Sequence, residues 1–195
     1  MSTLLNLRED ILAGFGELSE GERQELTALG LLAPNGTVRP FEPPQTADHL
    51  QTIPKHQISA PDALNEAYEY GSAFSRGVRL DLGPYSLLFI SGTASVDEQG
   101  ATVHVGDLRA QCWRTFRNIT ELLEAEGASW KDVVKTTCYL RDIERDYDEF
   151  NRVRTAFYDL MGLRPYPASV GIQARLCRSD LLVEIEALAV VKREA

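Results

Sequence analysis

The chain has 195 residues, ordinary shares of apolar and charged side chains and a net charge of −9. That fits one globular domain with an attached segment, and it disfavours a nucleic-acid partner, because phosphate binding needs a basic surface. No run approaches the roughly 20 apolar residues of a membrane span. The acidic pair in MSTLLNLRED does not fit the start of a secretion signal, so the expected location is cytoplasmic. Cys112, Cys138 and Cys177 are odd in number and lack a CxxC spacing, and His49, His56 and His104 form no HExxH pattern. Reduced thiols are expected, with no disulfide framework, no metal and no cofactor.

In chain order, residues 1–32 read as a helical hairpin. Leu4, Leu5, Leu7, Ile11, Leu12 and Phe15 form an apolar stripe that Gly14 and Gly16 end. Ser19 and Glu22 then have the spacing of a capping box, opening a second helix with Leu26, Leu29 and Leu32. Residues 33–61 hold six of the nine prolines, which no helix or central strand tolerates, so this stretch reads as an extended linker. The boundary between an appendage (1–61) and the core (62–195) falls there.

The core opens with a strand over Ser75–Leu82, a Gly83-Pro84 turn and a buried strand over Leu87–Val96, where Gly92 predicts a bulge or a close backbone approach. Thr102–Val105 reads as a short strand. Asp107 caps a long helix whose apolar positions run from Leu108 to Leu123 and which Gly127 stops. Val133–Leu140 is a strand, Asp146–Met161 an amphipathic helix, and Ser169–Leu176 and Leu181–Val191 are the last two strands. This order predicts an α+β sandwich, a mixed sheet with both helices on one face. The other face stays apolar and uncovered in one chain, which predicts a homo-oligomer.

Strand alternation puts Glu184 and Glu186 on one face of the last strand, opposite Val183, Ile185 and Ala187. Two readings stand. In one, an arginine pairs with one carboxylate and the other faces solvent at a sheet edge. In the other, a carboxyl held in a dry cleft acquires a raised pKa suited to proton transfer. Cys177 reads by default as a small buried hydrophobe, or as a reactive thiol if its setting is electropositive and partly exposed.

The run from Gly106-Asp107 through Gln111, the strand around Val133-Val134-Lys135-Thr136-Thr137, Asn151, Ala174-Arg175-Leu176 and Glu184-Ile185-Glu186-Ala187 resemble the Rid (YjgF) family over about residues 70–191. The resemblance implies a chorismate-mutase-like α+β fold and a homotrimer whose sheets form a central barrel, with cofactor-free clefts between subunits. Members hydrolyse reactive imines and enamines of 2-keto acids and release ammonia. Glu184 matches the family glutamate that positions the attacking water, and Ser91, Gly92, Tyr147 and Asn151 fall in the implied substrate cleft. Two departures stand out. Phe74 replaces the family's cleft tyrosine. The arginine that clamps the substrate carboxylate is absent from Tyr166-Pro167-Ala168-Ser169, which leaves Arg76, Arg164, Arg175 and Arg178 as substitutes, with Arg175 taken as the substrate-binding choice.

Tyr70–Arg76, the Leu87–Val96 strand and Cys177–Glu186 are also similar to the C-terminal half of chorismatases, which release pyruvate from an enol ether. In some of those a Cys seven residues before the Glu takes part, and Cys177 and Glu184 have that spacing. The expected function is imine or enamine hydrolysis on a small carboxylate-bearing substrate. A chorismatase-like reaction and a non-catalytic metabolite-binding trimer are the alternatives, and residues 1–60 could dock a protein partner or lid the cleft.

Overall fold

The computed structural model describes residues 9–10, 12–14, 16–39 and 53–193. The chain divides into two compact units, 1–51 and 52–195.

In the first unit the expected capping box forms. The Ser19 hydroxyl accepts from the Glu22 N–H at 3.2 Å, and the Glu22 carboxylate accepts from the Ser19 N–H at 2.7 Å. It opens α1 (Glu20–Ala28). Leu29, expected on the apolar stripe, is instead the exposed C-cap. Leu32 lies beyond the helix, buried and bridged to Val38. Leu4, Leu5, Leu7, Ile11 and Phe15 of the expected first helix lie outside the described residues.

The second unit is a six-stranded mixed sheet in the order β1-β2-β3-β6-β4-β5. Its strands are β1 (Lys55–Ile58), β2 (Gly77–Leu82), β3 (Tyr85–Ala94), β4 (Val133–Leu140), β5 (Ala168–Gln173) and β6 (Val183–Lys192). All neighbours are antiparallel except β4 and β5. A parallel pair needs a crossover, and helix α3 (Ile143–Leu160) supplies it, while α2 (Leu108–Glu124) precedes β4. β1 falls inside the stretch read as linker. Pro54 and Pro61 flank it, which an edge strand tolerates, and Ile58 is fully buried in the core.

Several core boundaries shift by one or two residues from the sequence reading, β3 for example running Tyr85–Ala94 and not Leu87–Val96, and three differences are larger. α3 begins at Ile143 rather than Asp146, because Asp142 caps it by accepting from the Arg145 N–H at 3.1 Å. Thr102–Val105 is no strand. Thr102 makes one bridge to Val96, and His104 then turns the chain at φ 59°. β5 stops at Gln173, before Leu176.

Both helices lie on one face, as expected. Phe116 of α2 stacks on Phe157 of α3 at 4.4 Å, over Leu88, Ile90, Cys138, Leu140, Val183 and Ile185 of the sheet. Burial alternates strictly along β6 from Val183 to Val190, placing Val183, Ile185, Ala187 and Ala189 under the helices. The opposite face carries Val78, Leu80, Leu87, Phe89, Leu188 and Val190 in register, continuing to Val170 and Ile172 on β5. Phe89, Val170 and Ile172 are 44%, 45% and 41% exposed, so this face is apolar and open in the single chain.

Candidate functional site at Glu184

Glu184 sits on the open face of β6, a central strand, with Ala94 of β3 and Tyr139 of β4 as its paired neighbours. The β3–β6 register slips between Ile90 and Thr93, so Ser91-Gly92 forms the bulge expected at Gly92. The bulge brings backbone directly beneath the carboxyl. A Cβ at position 92 would lie 2.1 Å from Glu184 Oε1, so a side chain there would displace the carboxyl from this seat. Burial pushes the Glu184 carboxyl above its ordinary pKa, and the neighbouring charge of Glu186 adds to the shift.

Glu186 takes a different partner. The Tyr139 phenol donates to its Oε2 at 3.0 Å. The phenol's own pKa is raised by burial, then by that bond and by the charges of Glu186 and Glu184. Neither carboxylate pairs with a cation among the described residues. The arginine-pairing, edge-strand reading is therefore corrected: β6 is central, and the two carboxyls face each other's charge without a guanidinium between them.

Next to this pair, the same face holds a depression of about 390 Å³ lined by Ser91, Lys135, Thr137, Glu186, Val78 and Phe89, among others. Ser91 is held from behind: its hydroxyl donates to Ser75 O at 2.7 Å and its N–H to Arg76 O at 3.0 Å. Phe74, two residues before Arg76, is 43% exposed, with the Arg76 guanidinium 5.6 Å from its ring centroid. Ser91, Gly92, Phe74 and Glu184 are thus brought to one end of β3.

The loop between β5 and β6 carries Arg175 and Cys177. Between them Leu176 is buried in a small cluster with Leu181, Ala94 and Tyr139, the last two being the paired neighbours of Glu184. Cys177 is exposed, not the buried hydrophobe of the default reading, whereas Cys112 and Cys138 are buried. Burial pushes the Cys112 thiol up to about 12, so it is inert. Of the four arginines considered as clamps, Arg76 binds Asn65 through Nε at 2.8 Å and Nη2 at 3.0 Å. Arg164 binds Asp159, and Arg178 donates to Gly100 O. Arg175 is exposed and has no hydrogen bond or ion pair among the described residues.

Tyr147 and Asn151 lie elsewhere. Both are on α3, and Tyr147 covers Gly171 of β5, within 3.0 Å of where a Cβ would be. The Asn151 side-chain carbonyl accepts from Arg154 Nη2 at 2.6 Å, and Arg154 Nη1 donates to Ser169 Oγ at 3.0 Å. Ser169 pairs with buried Thr136, and Gly171 with buried Cys138, so this group is on the helix-covered side at the sheet's edge. One chain does not bring it to Glu184. Tyr139 and Lys135 were missed by the sequence reading, although alternation along Val133–Leu140 already puts Lys135, Thr137 and Tyr139 on one face. Among the described residues, no group of three or more His, Cys, Asp or Glu side chains could hold a metal ion, and no helix is long and apolar enough to cross a membrane.

A mixed sheet with two helices on one face and a carboxyl over a β-bulge glycine defines an α+β protein of the Rid type. Residues 65–191 match the family described as Endoribonuclease L-PSP, and the chain belongs to that family, the Rid/YjgF group expected from its motifs. A RutC family protein of Pyrococcus abyssi is 33% identical over 115 residues, 55% of this chain and 87% of the relative. The 3-aminoacrylate deaminase RutC of Acinetobacter baylyi is 33% identical over 104 residues, 53% of this chain and 79% of the relative. Among solved structures, the YjgF gene product of E. coli superposes with TM-score 0.59 at 27% identity, over 70% of this chain and 99% of that one. E. coli TdcF with bound serine gives TM-score 0.59 at 28% identity, over 70% and 99%.

Proposed function

We propose that the chain is a cofactor-independent hydrolase of small, carboxylate-bearing imines or enamines, releasing ammonia, with Glu184 as its proton-transfer group. The observation that carries this reading is the Glu184 carboxyl, half-buried on the open face, seated over Gly92 with a raised pKa and no cation beside it. A carboxyl whose pKa is raised is suited to give up and take back a proton during turnover. In the reaction it protonates the enamine carbon, giving the iminium. As carboxylate it then takes a proton from the attacking water, returns that proton to the amine nitrogen of the tetrahedral adduct, and takes back the hydroxyl proton as the adduct collapses to the keto acid and ammonia. The kinship with a 3-aminoacrylate deaminase and with a serine-bound family member supports a small amino- or imino-acid substrate. The net charge of −9 argues against RNA.

Arg175 is the group proposed to meet the substrate carboxylate. Its guanidinium is uncommitted, and it precedes Leu176, which packs beside Ala94 and Tyr139. Because Tyr147 and Asn151 lie across the sheet from Glu184, a second copy docked on the open face is needed to bring them to it, and a homotrimer is the proposed assembly. The exposed Cys177, seven residues before Glu184, favours the enol-ether reading as the alternative. One assay separates the two. Freshly generated 2-aminoacrylate-type enamines are offered and ammonia release is followed above the spontaneous rate, while an enol-ether substrate is assayed for pyruvate. Ammonia from the enamine supports the deaminase. Pyruvate from the enol ether without enamine turnover supports the alternative, and silence in both arms contradicts an enzyme of either kind.

A further inference from the structure

The place where β6 enters the sheet determines where Glu184 lies, and that entry is not held by strand pairing on both sides. β3 ends at Ala94, opposite Glu184, so the residues before Glu184 have no β3 residue facing them. On the β4 side, the Arg141 N–H still donates to Leu182 O at 3.0 Å. The Leu182 N–H has no strand partner, and an unmet buried donor costs about 1–3 kcal/mol.

Gln111 of α2 meets it. The side chain is fully buried and both ends of its carboxamide are used. Oε1 accepts from the Leu182 N–H at 2.8 Å, while Nε2 donates to Asp180 O at 2.8 Å and to His104 O at 3.2 Å. One acceptor and one donor, each aimed at backbone, is the pattern of a peptide group in a ladder. A single side chain thereby ties the His104 turn to the end of the loop bearing Arg175 and Cys177, up to the residue that precedes β6. The rest of the buried face of α2 is apolar apart from Thr115 and Asn118, and Asn118 also spends its amide on backbone, donating to Ala94 O at 2.9 Å and Val96 O at 3.0 Å.

We propose that Gln111 is a positioning residue for Glu184: it stands in for the strand edge that β3 does not supply, fixing the start of β6 and so holding the carboxyl over Gly92. This rests on the reading of Glu184 as the working group. Two variants test it. Gln111→Met keeps the length and removes all three bonds; Gln111→Glu keeps an acceptor for Leu182 and loses both donations. The Glu184 carboxyl is titrated by carbon-13 NMR, with Glu184→Gln identifying its signal, alongside amide exchange at Leu182, thermal unfolding and enamine turnover.

In Gln111→Met the carboxyl should titrate closer to an ordinary glutamate and the Leu182 amide should exchange faster. kcat should fall roughly a hundred-fold, the effect of a displacement on the order of 1 Å, with KM changing less than kcat. Gln111→Glu should fall between this variant and the parent. A folded Gln111→Met that loses only thermal stability, with the Glu184 titration unchanged, overturns the proposal and leaves Gln111 a packing residue. If Gln111→Met does not fold, Gln111→Glu is judged by the same titration; if neither folds, the proposal is also overturned. Should the parent chain turn over no enamine, the functional reading fails, while the titration still decides the role of Gln111.

Discussion

The close seat of the Glu184 carboxyl over backbone governs its behaviour. Gly92→Ala would put a methyl group 2.1 Å from Oε1. Oε1 is the far end of a flexible side chain, so the carboxyl must swing away at little cost to stability, and turnover should collapse while the circular dichroism of the fold is kept. The raised pKa has its own consequence. The native chain holds the Glu184 proton more tightly than the unfolded chain does, so stability falls as pH rises from the ordinary carboxylate value through the raised one. The penalty is absent below that window and complete above it. Glu184→Gln removes the charge and should raise the thermal midpoint at pH above the Glu184 titration, with the gain fading below it; an unchanged difference across pH would contradict the assigned burial. That Glu184 and Glu186 share a face was legible from alternation alone. The Tyr139 bond to Glu186 and the approach of Gly92 were not, since both depend on a cross-strand register that one sequence does not display.

At the scale of elements, local signals were read well where they were self-contained. The Ser19–Glu22 box, the Asp107 cap and the bulge at Gly92 all form as their residue types dictate. Two of the misreadings originate in tertiary contacts. β1 exists because β2 offers an edge to Lys55–Ile58, and no composition rule finds a strand between two prolines. The Thr102–Val105 run is β-favouring yet turns at His104, where Gln111 holds its carbonyl. The α2–α3 contact is one part of the packing of the helix layer. Phe116→Ala removes a fully buried ring stacked on Phe157 and edge-on to Trp130, and should cost about 3–5 kcal/mol in denaturant unfolding. A cost below 1 kcal/mol, on the order of a surface change, would mean that the helices pack differently.

For the molecule as a whole, the uncovered apolar sheet face was expected from the strand order, and the structure has it. Light scattering should give three chain masses, and Phe89→Glu on that face should shift the mass towards one. A monomeric parent would leave Tyr147 and Asn151 with no route to Glu184. Removing residues 1–51 leaves all six strands of the sheet in the chain, so the remainder should still unfold cooperatively. Removing 1–60 takes away β1 with its buried Ile58 and should lower the unfolding midpoint.

The most direct test of the account is ammonia release from a freshly generated enamine acid by the parent chain and by Glu184→Gln at equal concentration. The expected result is release well above the spontaneous rate for the parent, declining as pH rises past the Glu184 titration, and release at the spontaneous rate for the variant. Equal turnover by the two proteins would show that this carboxyl does not carry the reaction.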